Sequence, residues 1–162
     1  MANRELTFNE EEFIVSKTDL NGKITYGNSL FMQMSGYSEI ELIDQPHKIL
    51  RHPDMPAVVF KLLWSKIKEG KEVFAYVNNK TKNGDYYWVF AHVTPSYDTN
   101  RKICSYHSVR RKPSSIALNF IKPLYRSLLQ AERNGGTAAS EAVLNKLLKE
   151  KGVSYDEFIL SI

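Results

Sequence analysis

The sequence predicts an α+β domain: a five-stranded antiparallel sheet with short helices on one face, followed by a helical tail. Three observations predict it. Two Asn-Gly dipeptides, Asn21-Gly22 and Asn83-Gly84, each lie between short runs rich in β-branched and aromatic residues, which is a hairpin signal. A proline-punctuated turn from Pro46 to Pro56 leads into a segment where Phe60, Leu63, Trp64 and Ile67 recur at helical spacing. Beyond Pro113 the alternating pattern gives way to apolar stripes and helix caps.

The first strand is read at Phe13 to Lys17 and its return at Lys23 to Tyr26, joined by Asp19-Leu20-Asn21-Gly22. Residues 1–12, polar and acidic towards their end, are expected to form an arm or cap. Asn28 or Ser29 caps a short helix over Leu30 to Met34, which Gly36 ends. Ser38 with Glu41 three residues on makes a capping box for a second short helix.

The chain then becomes stiff. Pro46, Pro53 and Pro56 each fix φ and disfavour helix in the residue before, so RHPDMP reads as a turn with few conformations. Asp54 is read as the N-cap of the long helix, and Gly70 as its stop. Val73 to Lys80 and Tyr86 to Pro95 flank Asn83-Gly84. A two-residue turn there pairs Asn79 with Trp88, Val77 with Phe90, Ala75 with His92 and Val73 with Thr94. Both faces of that hairpin are apolar, so both need a cover: the short helices on one, and the arm, the tail or a second copy of the chain on the other. Lys102 to Val109 alternates strictly and is the last strand. In the tail, Pro123 interrupts a helix or sits in its first turn. Asn134-Gly135-Gly136 breaks it, Thr137 caps a second helix, and Ser154 with Glu157 opens a third.

Composition narrows the function. The chain has 162 residues, 43% of them hydrophobic, enough for one real core. No apolar run approaches the roughly 18–20 residues of a membrane span, and the N-terminus lacks the pattern of a signal peptide. One cysteine, Cys104, excludes an internal disulfide and a cysteine metal cage, which fits a reducing compartment. The net charge of +4 is modest. Only Arg110-Arg111-Lys112 clusters, and it reads as a solvated strand end, so no nucleic-acid partner is expected. Dinucleotide, phosphate-loop, zinc-protease and serine-hydrolase motifs are all missing, and no enzyme is expected.

With these elements in place, the sequence resembles a PAS sensor domain. More narrowly it resembles the flavin-binding PAS domain of bacterial aerotaxis receptors, and the stand-alone PAS proteins of two-piece energy-taxis systems. The residues that carry the likeness are SKTDLNGKITYGN, MSGYSEIEL, QPHKILRHPDMP, the helix through Trp64, and YVNNKTKNGDYYWVFAHVTPSYD, together roughly residues 14–110. The tail adds FIKPLYRSLL. The resemblance implies a PAS fold with the sensor domain over residues 13–112 and a signalling or interaction tail over 113–162. It implies non-covalent FAD and redox sensing, with a signal passed to a membrane-bound chemotaxis partner. Membrane-anchored receptors continue into a membrane span and a signalling domain. The stand-alone class is therefore expected, cytoplasmic and held at the inner membrane only through that partner.

By the same resemblance, Arg51, His52 and Asp54 fall on positions that hold the cofactor, and Asn28, Phe60, Trp64 and Asn79 on pocket-lining positions. His92, on the same layer as Asn79 in the expected register, joins the candidate set. Each has a plainer alternative: Arg51 as a surface ion pair with Asp44 or Asp54, Phe60 and Trp64 as core, Asn79 as an exposed strand residue, His92 as a core histidine. Haem, with His52 as the axial ligand, is the alternative cofactor. A cofactor-free interaction module is the alternative function, and a homodimer through the sheet face or the arm is a further expectation. No cysteine lies between residues 28 and 70, which argues against light-driven thiol adduct formation.

Overall fold

The computed structural model describes residues 3–162, so Met1 and Ala2 of the expected arm lie outside the described residues. Five antiparallel strands, β1 (Ile14–Thr18), β2 (Ile24–Gly27), β3 (Val73–Lys80), β4 (Tyr86–Tyr97) and β5 (Ile103–Arg111), lie in the order β2-β1-β5-β4-β3. Helices α1 (Ser29–Ser35), α2 (Glu39–Leu42) and α3 (Ala57–Lys68), with a 3-10 turn at His47–Leu50, stand on the inner face. The tail, α4 (Ser115–Lys151) and α5 (Tyr155–Leu160), crosses the outer face.

Local rules explain the first helices. Asn28 accepts from the Phe31 amide and Ser38 from the Glu41 amide, each satisfying a donor that a helix start leaves free. Glu41 returns a bond to the Ser38 amide, which completes the capping box.

The hairpins correct the expected register. In the β3–β4 turn the Thr81 amide bonds to the Asp85 carbonyl at 2.8 Å, so Lys82-Asn83-Gly84 forms a three-residue loop with Gly84 at φ 86°. The β1–β2 and β4–β5 turns are built the same way, closed by Asp19 on Lys23 and Asp98 on Lys102. The extra loop residue pairs Asn79 with Tyr87, Val77 with Val89, Ala75 with Ala91 and Val73 with Val93. Side chains alternate with period two, so the slip of one residue moves every β4 side chain to the other face. Tyr87, Val89, Ala91 and Val93 therefore face inward. Trp88, Phe90 and His92 stand on the outer face, where Phe90 and His92 stack with Phe74.

The tail covers that outer aromatic layer. The Tyr125 hydroxyl donates to the Tyr76 carbonyl at 2.5 Å, and the Tyr155 hydroxyl to the Phe74 carbonyl at 3.0 Å. Tyr125 also packs on Trp88. Burying such rings stabilises by roughly 1.5–3 kcal/mol each. α4 is capped by Ser114, and Pro123 lies inside it and not in its first turn, the first of the two expected placements. The expected break is a kink at Gly136, whose φ of 75° suits glycine. The arm runs beside β4, with the Leu6 amide on the Tyr86 carbonyl at 2.7 Å.

Asp54 does not cap α3; Pro56 holds that position and makes no side-chain cap bond. The free amides of Ala57 and Val58 instead meet Glu132 of α4, at 3.0 and 3.2 Å. Ser140 donates to the same carboxylate at 2.9 Å. The start of α3 is thus completed from the tail.

Candidate functional site

Between α3, the 3-10 turn, the β1–β2 turn and the inner face of the sheet lies a cavity of about 740 Å³. That is ample for a flat ligand of drug size. α3 supplies Phe60, Trp64 and Ile67 because these recur on one side of the helix. The sheet supplies Val77, Ala91 and Val93 by alternation. Trp64 meets Tyr106 edge to face at 5.7 Å. Gly22 sits at φ 83°, and a Cβ there would come within 3.2 Å of Trp64, so the β1–β2 turn closes on the indole only as glycine.

Arg51 reaches the mouth. Its guanidinium lies 4.3 Å over the Phe60 ring, and its backbone bridges to Asn79. Lys48, Lys61 and Lys68 line the same opening. Lys61 is tied to Glu141 at 2.6 Å, while Lys68 sits 5.7 Å over the Trp64 ring. Among the described residues, no carboxylate lines the cavity.

The inner wall is unusual in its unmet donors. Asn79 is 3% exposed and Arg110 2%. The Nε and Nη1 of Arg110 are buried without a hydrogen-bond partner, while the Asn79 amide lies beside the Tyr87 hydroxyl. Leaving such groups unpaired costs roughly 1–3 kcal/mol each. Burial pushes the Arg110 guanidinium down to about 10, and it remains a cation at neutral pH. Burial, and then the charge of Arg110, push His47 down to about 3, so it is neutral. A ring bearing acceptors would satisfy this wall, and an anionic tail would suit the basic mouth.

Arg51, Phe60, Trp64 and Asn79 of the expected set therefore meet at one cavity. The other four do not. Asn28 spends its amide on structure: Oδ1 accepts from Val15 and Phe31, and Nδ2 donates to the Phe13 carbonyl. His92 is on the outer face because of the register slip, its side chain 38% exposed and bonded to Glu72 at 2.9 Å. His52 and Asp54 follow Arg51 in a strand-like path along β3, so their side chains fall across the sheet edge. They line a second hollow, between α4 and Trp88. There His52 Nδ1 accepts from the Asp54 amide, and the Asp54 side chain is 68% exposed.

Sequence reasoning missed Arg110, His47 and Tyr87. Arg110 is not a solvated strand end. It continues the inward series Tyr106, Ser108 on β5, and parity was the signal that could have found it.

A family model described as "PAS fold" matches residues 24–110. The chain is 40% identical over 119 residues to the aerotaxis receptor of Escherichia coli (strain K12), covering 74% of this chain and 23% of that protein. It is 26% identical over 133 residues to the nitrogen fixation regulatory protein of Klebsiella pneumoniae, covering 82% of this chain and 25% of that one. The chain thus spans about a quarter of the length of these curated relatives. Among solved structures, the dark state of the blue-light photoreceptor Aureochrome1 LOV superposes with a TM-score of 0.55 at 24% identity, over 75% of this chain and 83% of that one. A blue-light activated histidine kinase of Erythrobacter litoralis gives 0.59 at 16%, over 78% and 42%. At such identities the structural likeness concerns the fold alone.

Proposed function

The chain belongs to the PAS-fold family, and from that premise we propose that it is a redox sensor that binds FAD non-covalently and signals to a membrane-bound chemotaxis partner. The observation that carries the reading is the cavity wall: buried donors without acceptors, aromatic sides, a basic mouth and no carboxylate.

Bound flavin supplies a ring that takes up electrons and protons reversibly. The protein's part is to hold it and to register its charge. Phe60, Trp64 and Val77 offer apolar surface to the two sides of a flat ring. Asn79 presents an amide, donor and acceptor together, to a pyrimidine edge that carries both. Arg51 and Lys48 at the mouth suit phosphate, Arg51 as a planar fork. A charge-assisted bond made in only one oxidation state is worth roughly 1.5–3 kcal/mol. That corresponds to about 30–65 mV for a two-electron couple.

The output is proposed to leave through the tail, since α3 carries Phe60 and Trp64 of the cavity and is fastened to α4 through Glu132. No helix among the described residues is long and apolar enough to cross a membrane. Haem is less well supported, because His52, its expected ligand, lies outside the cavity.

The test is purification under mild conditions, followed by reconstitution with FAD and with FMN. A yellow protein with flavin absorbance is expected. Arg51→Ala and Asn79→Ala should each weaken flavin binding by roughly tenfold or more, the loss of one charged or buried bond. A folded protein that stays colourless and takes up no flavin would leave the cofactor-free interaction module as the reading.

A further inference from the structure

At the deep end of the cavity stands a cation with no counter-charge. Arg110 donates from Nη2 to Ser16 Oγ, and its guanidinium lies 4.8 Å over the Phe31 ring. Nε and Nη1 point at no acceptor. A buried, half-satisfied guanidinium is costly, and natural proteins pair such charges. None of the neighbouring elements supplies the partner. β1 offers Ser16, a neutral hydroxyl, with Lys17 on the far side of the strand. β3 offers Asn79. β4 offers Tyr87, which burial pushes up to about 12, so it is neutral. The 3-10 turn offers His47, neutral as well, and Lys48. β5 offers Tyr106 and His107, the latter pushed down by burial. Arg51 and, on α3, Lys68 add positive charge, and Lys61 is paired with Glu141 at the mouth. Among the described residues no anion therefore lines the cavity beside Arg110, and the missing charge belongs to the ligand.

We propose that Arg110 makes this cavity select an anionic ring: it holds the acceptor edge of the flavin and keeps the reduced ring unprotonated at the nitrogen facing it. The inference rests on the flavin reading and deepens it. The balance is two electrons and one proton into the ring, the electrons from dithionite in the test below. The proton goes to the ring nitrogen away from Arg110. The second proton stays in solvent, because a cation faces its site and the adjacent His47 and Tyr87 are neutral. The remaining negative charge is met by Nε and Nη1. This explains why those two donors have no partner within the protein.

The experiment is a spectroelectrochemical titration of the FAD-loaded protein from about pH 5 to 8, the range in which groups near neutrality titrate. One proton per two electrons lowers the midpoint by about 30 mV per pH unit throughout, since tenfold in one proton is that much for a two-electron couple. Arg110→Met should admit the second proton and steepen the acid side to about 59 mV per unit. Arg110→Lys, which keeps the charge, should keep the shallow slope. A steep acid limb in the flavin-loaded wild type, or an unchanged slope in Arg110→Met, overturns the assignment while leaving flavin binding intact. If Arg110→Met does not fold, the wild-type slope decides by itself. A wild type that takes up no flavin sinks the proposed function first, and this inference with it.

Discussion

Glu132→Ala is the substitution that most directly probes how the tail is joined to the cavity. The Glu132 carboxylate lies 75 residues from Ala57 in sequence, yet it accepts the Ala57 amide at 3.0 Å. It also accepts the Val58 amide at 3.2 Å and the Ser140 hydroxyl at 2.9 Å. It therefore does for α3 what a local N-cap would do, with two amides rather than one. Bonds to a charged acceptor are worth about 1.5–3 kcal/mol, and a negative charge at a helix start adds roughly 0.3–1 kcal/mol. Cap deletions measured elsewhere reach about 2 kcal/mol. Since α4 loses an anchor as well, the expected loss is about 3 kcal/mol. For a chain of this size that is a fall in Tm of roughly 6–12 °C. Glu132→Gln, which keeps one acceptor and removes the charge, should lose about half. Urea unfolding and thermal melts followed by circular dichroism read both values. Flavin affinity should fall in parallel, because α3 presents Phe60 and Trp64 to the cavity. A Glu132→Ala protein within about 0.5 kcal/mol of wild type, the range of inert surface changes, would refute the view that the tail completes α3.

Two further outcomes follow from the same structure. His47 is held at about 3, below its usual value near 6.5, by burial and by Arg110. The unfolded chain therefore takes the proton first. The stability due to this neutral histidine is complete above about pH 6.5 and is lost as pH falls towards 3, by up to about 1.4 kcal/mol per unit. His47 is half-buried in the cavity wall, so the measured slope should lie below that ceiling. His47→Gln should flatten this part of a urea-midpoint series against pH, and equal slopes in both proteins would count against it. Gly84 holds the left-handed position of the β3–β4 loop at φ 86°. Gly84→Val should cost about 1–2 kcal/mol in chemical denaturation with the register retained, and a neutral result would mean the loop is not built as described.

The elements and their order were legible because the rules that make them are short-range. Asn28 and Ser38 cap their helices as read, since a cap involves only the next three residues. The apolar side of α3 was legible for the same reason, and with it Phe60 and Trp64. The β3–β4 register was not. Asn-Gly suits a two-residue turn, but here Gly84 closes a three-residue loop, and one residue more exchanges the faces of β4. That single count moved His92 to the outer face and turned Tyr87 inward.

The sequence by itself determined a PAS-type order of strands and helices, a stiff proline turn, and an aromatic helix beside it. Each follows from backbone preference and side-chain periodicity within a few residues. Only the tertiary structure decided that Arg110 is buried and not solvated, that α3 is capped by a carboxylate of α4, and that Arg51 parts company with His52 and Asp54 at the sheet edge. These depend on which surfaces meet after the chain has closed on itself. A charge's cost and a donor's partner are properties of that enclosure, and no local stretch of sequence carries them.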